Sequence, residues 1–171
     1  MYCELPSNTT CPDVVVAQTV MAQLREWKQN HSTQNFFAGL GVHKPHLPWG
    51  APSEYFDMYP PASQLSLATH KNIPTGMPDV AYHHCQWGPF PWNSSRGQPV
   101  SDTIAREARR GYYAAVSFAD ALVGQVLATL DEVGATDDTV VLLSSDHGWH
   151  LGEVRMIGFI RSIRSISCAV A

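Results

Sequence analysis

Two stretches of this sequence set chemistry-bearing side chains at the end of an apolar run. In "TVVLLSSDHGWHLGE", Thr139 to Glu153, a β-branched run closes on Asp146, His147 and Gly148. In "NFFAGLGVHKPHLP", Asn35 to Pro48, another closes on His43, Lys44 and His46. A carboxylate beside a neutral imidazole is a reasonable ligand pair for a divalent cation, and Gly148 lets the backbone turn sharply away from it. The plainer alternative makes Asp146 a cap on the next helical turn and His147 a satisfied surface histidine. Two histidines and a lysine suit an anionic substrate such as a sulfate or phosphate ester. Here the alternative is a turn stiffened by Pro45 and Pro48, its histidines solvated; for His46 and Lys44 that reading is preferred, and for His43 both stay open.

The elements that must carry these groups are legible from periodicity. Asp13 to Asn30 has Val16, Val20, Leu24 and Trp27 at helical steps, with Pro12 suited to a helix start. Asn35 to Val42 then reads as a short buried strand, and helix followed by strand is half of an α/β repeat. Residues 43 to 102 hold most of the prolines and keep neither period, so they read as a long functional loop. Within it Trp49, Trp87 and Trp92 either line a cleft or pin the loop, and His83 and His84 beside Cys85 read as loop histidines rather than ligands.

The clearest element follows. Ile104, Ala108, Tyr112, Ala115, Ala119, Leu122, Val126 and Leu130 share one helical face. Ser101 or Asp102 can cap its start, and Gly134 stands where a C′ glycine belongs. Tyr112 and Tyr113 divide between core and helix surface. Thr139 to Ser145 reads as a second buried strand, apolar on both faces, whose natural home is a parallel sheet covered by helices. Ligands of open α/β sheets lie outside the carboxyl ends of the strands, which is where Asp146, His147 and His43 fall.

Bulk composition narrows the function. With 44% apolar and 15% charged residues among 171, the chain has material for one core. A net charge of −4 without a basic block argues against a nucleic-acid surface. No run reaches the roughly 18 uninterrupted apolar residues of a membrane span. The first residues have neither a basic n-region nor an apolar h-region, so they do not read as a signal peptide. The triplets at Asn8, Asn30 and Asn93 fit the glycosylation pattern and lean towards the secretory pathway. Cys3 and Cys11 either close a small disulfide loop or stay as thiols.

Taken together, "HKPHLP", "YYAAVSFAD" and "SSDHGWHLGE" make the chain resemble the sulfatase family. The resemblance is strongest from 35 to 153. It implies an alkaline-phosphatase-like α/β/α sandwich, present in part and with parallel core strands. It also implies hydrolysis of sulfate esters with a bound calcium ion and a cysteine-derived formylglycine. On matching positions, Asp146 and His147 become the calcium-binding pair and His43 the histidine touching the substrate sulfate. A sulfated carbohydrate of the glycosaminoglycan type is the implied partner, and a lysosomal or secreted location is implied with it.

The chain departs from the family pattern in three places. None of Cys3, Cys11, Cys85 or Cys168 is followed by Xaa-Pro-Ser-Arg, so the nucleophile motif is absent. Two further calcium-binding aspartates are expected to precede Met1, and the lysine expected after "LGE" is replaced by "VRMIGF". The expectation is therefore a partial catalytic domain over 1–153 with a divergent tail over 154–171, inactive alone. A non-catalytic fragment, or a phosphatase or phosphodiesterase relative of the same fold, is the alternative.

Overall fold

The computed structural model describes residues 2–5, 11–78, 100–153 and 157–160, the first and last of these by backbone alone. His83, His84, Cys85, Trp87, Trp92 and Cys168 lie outside the described residues, as do the triplets at Asn8 and Asn93.

Helix α1 covers Pro12–Asn30. Pro12 has no N–H to leave unsatisfied in the first turn, Asp13 faces the positive end of the helix, and Lys28 the negative end. Its inward stripe is Asp13, Ala17, Val20 and Leu24. Val16, expected on that face, stays 37% exposed. The stripe is turned by one position because fully buried Ala17 admits a close neighbour where the branched Val16 would not.

Strand β1 (Tyr2–Leu5) pairs in parallel with β2 (Trp49–Pro52), Tyr2 opposite Trp49. Every residue of β2 is buried, as a parallel strand beneath helices should be. A single turn of helix, α2 (Ser53–Asp57), follows and buries Phe56.

Helix α3 runs over Asp102–Glu132. The Ser101 hydroxyl accepts the Ile104 N–H at 3.3 Å, so Ser101 is the N-cap. Gly134 follows the helix at φ +66°, a backbone that glycine adopts without a Cβ clash. All three apolar clusters of the core rest on α3 or its end. Ala105, Ala108 and Ala115 pack with Trp49, Trp149 and Leu151; Ala114, Phe118 and Leu122 with Ala17 and Phe56; Leu130 and Val133 with Val20 and Leu24. By length and composition alone α3 is apolar enough to cross a membrane; here it is the central helix of the packing. Its alanines are the reason β2 and the segment after residue 147 approach so closely.

Strand β3 (Gly148–Leu151) pairs antiparallel with β4 (Ile157–Ile160).

Two expected strands do not form. Residues 35–42 and 139–145 lie in no ladder. Both lie across the α1–α3 layer: Phe36, Leu40 and Val141 pack against it, while Phe37 is 99% and Val140 77% exposed. Burial does not alternate strictly along them: residues 37–39 and 142–145 are all exposed. What is missing among the described residues is a neighbour to take up the main-chain hydrogen bonds and a second layer over the outer face. A run apolar on both sides has only one side covered.

Candidate functional site

The first half of the site is a corner built over the N-terminus of α1. The Asp13 side chain is buried, the residue only 5% exposed. Its two carboxylate oxygens accept the backbone N–H groups of His43 and Lys44, each at 3.0 Å. The His46 N–H donates to the His43 carbonyl at 3.0 Å, closing a turn. Lys44 then folds back on its own loop. Its ammonium donates to the His46 and Pro48 carbonyls at 3.2 and 2.6 Å. Burial pulls the Lys44 pKa below its ordinary value, and the charge of Asp13 opposes that shift.

Lys44 therefore serves the loop, which agrees with the turn preferred for it over a contact with an anion. Trp49 is wholly buried and its indole N–H donates to the Pro45 carbonyl at 2.8 Å. Of its two expected roles, this is the loop pin. The corner leaves the His43 ring exposed, stacked on His46 with centroids 4.5 Å apart.

The second half lies between residue 145 and β3. The Asp146 carboxylate accepts the His147 N–H at 2.8 Å. Its other oxygen lies 3.5 Å from the His147 ring nitrogen Nε2. The Asp146 side chain is 87% exposed. Asp146 precedes strand β3, so the helix-cap alternative does not apply. The Ser145 hydroxyl donates to the His147 carbonyl at 2.9 Å.

Residues absent from the sequence reading fix this segment from behind. Arg109, buried on α3, donates to the Leu151 carbonyl, to the Ser66 carbonyl and to a carboxylate oxygen of Glu153, at 3.0, 3.1 and 2.9 Å. The other Glu153 oxygen accepts the Leu151 N–H. Gly152 sits at φ +104°, and a Cβ there would meet the Ala105 methyl at 2.9 Å. A charged residue on an otherwise apolar helical face was the available signal for Arg109, since such a group stays buried only when paired.

The two halves meet through aromatic rings. Trp149 stands edge-on to His46 at 6.3 Å and to Trp49 at 5.3 Å, and Trp49 is edge-on to Tyr112 at 5.7 Å. Tyr113 instead stacks with Tyr59 on the other side of the helix. The corner bearing His43 and the segment that follows Asp146 and His147 thus touch at the His46–Trp149 contact. His150 lies half-buried next to it. Its Nδ1 has no hydrogen-bond partner among the described residues, and burial lowers its pKa against the pull of Glu153.

The sequence profile of the family described as Sulfatase matches residues 2–164. The chain belongs to the sulfatase family. It is 32% identical to the iduronate 2-sulfatases of Mus musculus and Homo sapiens over 157 residues, 84% of this chain and 27% of each relative. It is 31% identical to a sulfatase of Formosa agariphila over 147 residues, 86% of this chain and 28% of that one. The chain thus spans about a quarter of the length of the curated relatives it matches. Family membership implies an alkaline-phosphatase-like α/β fold, and the described helices and parallel strand pair are consistent with a part of it.

Sulfatases use a divalent metal. Asp146 supplies a hard, exposed carboxylate and His147 an imidazole, but a calcium ion takes six to eight oxygens. Among the described residues no three His, Cys, Asp or Glu side chains converge as a metal site. These residues alone do not make a complete calcium site. Cys11 also offers no nucleophile: it is a free, buried thiol whose pKa burial raises, the opposite of an activated thiolate.

Proposed function

We propose that this chain carries one side of the site of a sulfuric ester hydrolase. In this reading the exposed His43 ring contacts the sulfate, and Asp146 and His147 offer themselves to a divalent cation, calcium. The observation that supports it is the His46–Trp149 contact, which brings together the two segments that carry the family motifs. A cation there would neutralise sulfate oxygens. His43 would hydrogen-bond the ester or move a proton to or from it.

The substrate class we propose is a sulfated uronate sugar of the glycosaminoglycan type. Two of the relatives are named for 2-sulfated iduronate. For the whole protein we propose an α/β/α sandwich, a formylglycine nucleophile and a lysosomal or secreted location. Exposed Asn30, in an acceptor triplet, fits a glycoprotein. The 171-residue chain, lacking the cysteine motif, is expected to be inactive alone.

A second reading, phosphate ester chemistry, has one observation in its favour. The chain is 31% identical over 134 residues to the multifunctional alkaline phosphatase superfamily protein PehA of Trinickia caryophylli.

Nuclear magnetic resonance titration of the chain decides between them. Inorganic sulfate should shift the His43 ring signals, and calcium the Asp146 and His147 signals, weakly. Inorganic phosphate should bind less well than sulfate. A His43 ring indifferent to sulfate would overturn the reading, and a clear preference for phosphate would favour the second. Hydrolysis of a chromogenic aryl sulfate by the pure chain would refute the expectation that it is inactive.

A further inference from the structure

Asp13 is an acid in the first turn of a helix, where carboxylates are usually solvated. Here it is buried and does not cap its own helix: the N-cap is Cys11, and no side-chain cap bond is made there. Removing a carboxylate from water is unfavourable unless its oxygens find donors. Asp13 commits one oxygen to the His43 N–H and the other to the Lys44 N–H, both at 3.0 Å.

Those two N–H groups belong to the peptide planes on either side of the His43 Cα. Fixing both planes fixes the direction in which the His43 side chain leaves the backbone. The anchor is itself rigid. Asp13 is one turn from Ala17, which packs with Ala114, Phe118 and Leu122 of α3. The Lys44 ammonium is electrostatically coupled to Asp13 and ties the far side of the loop.

We infer that Asp13 is the positioning residue of the site: its carboxylate, holding two successive main-chain N–H groups, sets the His43 imidazole where the sulfate is bound. The inference rests on the reading of His43 given above. It adds a requirement which that reading does not contain, because a sulfate-contacting histidine needs no particular acid behind it. Asp13→Asn keeps the shape but offers one acceptor and turns an N–H₂ towards the second N–H, leaving donors facing each other. Placement errors of this kind are costly where a side chain must meet its ligand in one orientation.

The test is a sulfate titration of the full chain, followed at the His43 ring, with amide hydrogen exchange at His43 and Lys44. Asp13→Asn should weaken inorganic sulfate binding roughly tenfold, the usual scale for an outer-shell partner. Asp13→Glu, which keeps the charge but displaces the carboxylate by one methylene, should fall between it and the parent chain. Combined with His43→Ala, Asp13→Asn should add nothing further, because both act through one imidazole.

Sulfate binding unchanged in a folded Asp13→Asn chain, with His43 and Lys44 amides exchanging faster, would overturn the inference and leave Asp13 a purely structural acid. Should Asp13→Asn not fold, unchanged binding in Asp13→Glu would overturn it equally. A parent chain whose His43 ring ignores sulfate removes the functional reading itself, an outcome distinct from either.

Discussion

The corner from His43 to Gly50 and the run from Thr139 to Ser145 are both short, irregular connections beside the same pair of helices, yet they are held in opposite ways. In the corner nearly every polar group has an internal partner. Asp13 takes two N–H groups, Lys44 two carbonyls, Trp49 a third, and Gly50 donates to Pro48 at 2.7 Å. In the run, Val141 reaches the α1–α3 layer, while Val140, Leu142 and Leu143 are 77%, 66% and 55% exposed. A segment secured by side-chain-to-main-chain bonds is complete with what lies next to it. A segment built to be a central strand is complete only when strands flank it and layers cover both faces.

That contrast can be broken first at its strongest point. Trp49→Ala removes a fully buried ring shared by the corner and the β3 segment, and should cost about 3–5 kcal/mol of stability in a denaturant melt. A loss below about 1 kcal/mol would mean that the corner is held by its polar bonds alone.

Arg109→Met tests the same idea on the other half of the site. It leaves the Leu151 and Ser66 carbonyls and one Glu153 oxygen without the guanidinium donor, at an expected cost of about 2–3 kcal/mol. The figure is held below that of a fully buried ion pair because the Glu153 side chain is 40% exposed. Amide exchange across β3 should accelerate more than across α1.

A smaller effect should appear in the pH dependence. Burial depresses the His150 pKa in the folded chain, so its neutral form is favoured by folding. Its contribution is present above the ordinary imidazole value of about 6.5 and is lost as pH falls below it, when the unfolded chain takes up the proton more readily. The urea midpoint should therefore fall between about pH 7 and pH 5, and His150→Gln should flatten that slope. A slope unchanged in the variant would assign it to other histidines.

The smallest change is expected in the exposed run. Leu142→Ser should alter stability by no more than about 0.5 kcal/mol, the usual range for a surface position. A loss above 1.5 kcal/mol would mean that this face is covered in solution and that its likeness to an unfinished strand is wrong.

Much of this was legible from local patterns. The span of α1 to within a residue, a cap at Ser101 or Asp102, Gly134 after α3 and the grouping of chemistry at two segment ends all follow from rules that act within about one helical turn. The family likeness rests on motifs equally local. Tertiary structure alone decided the rest. It determined that 35–42 and 139–145 stay outside any ladder, because a strand exists only with a partner. It turned the inner stripe of α1 from Val16 to Ala17, because close approach favours the smaller side chain. It also brought Asp13 and Arg109 to the two segments of the proposed site. Their bonds run to groups 30 and 42 residues away or more, and no spacing rule reaches across a chain that only packing brings together.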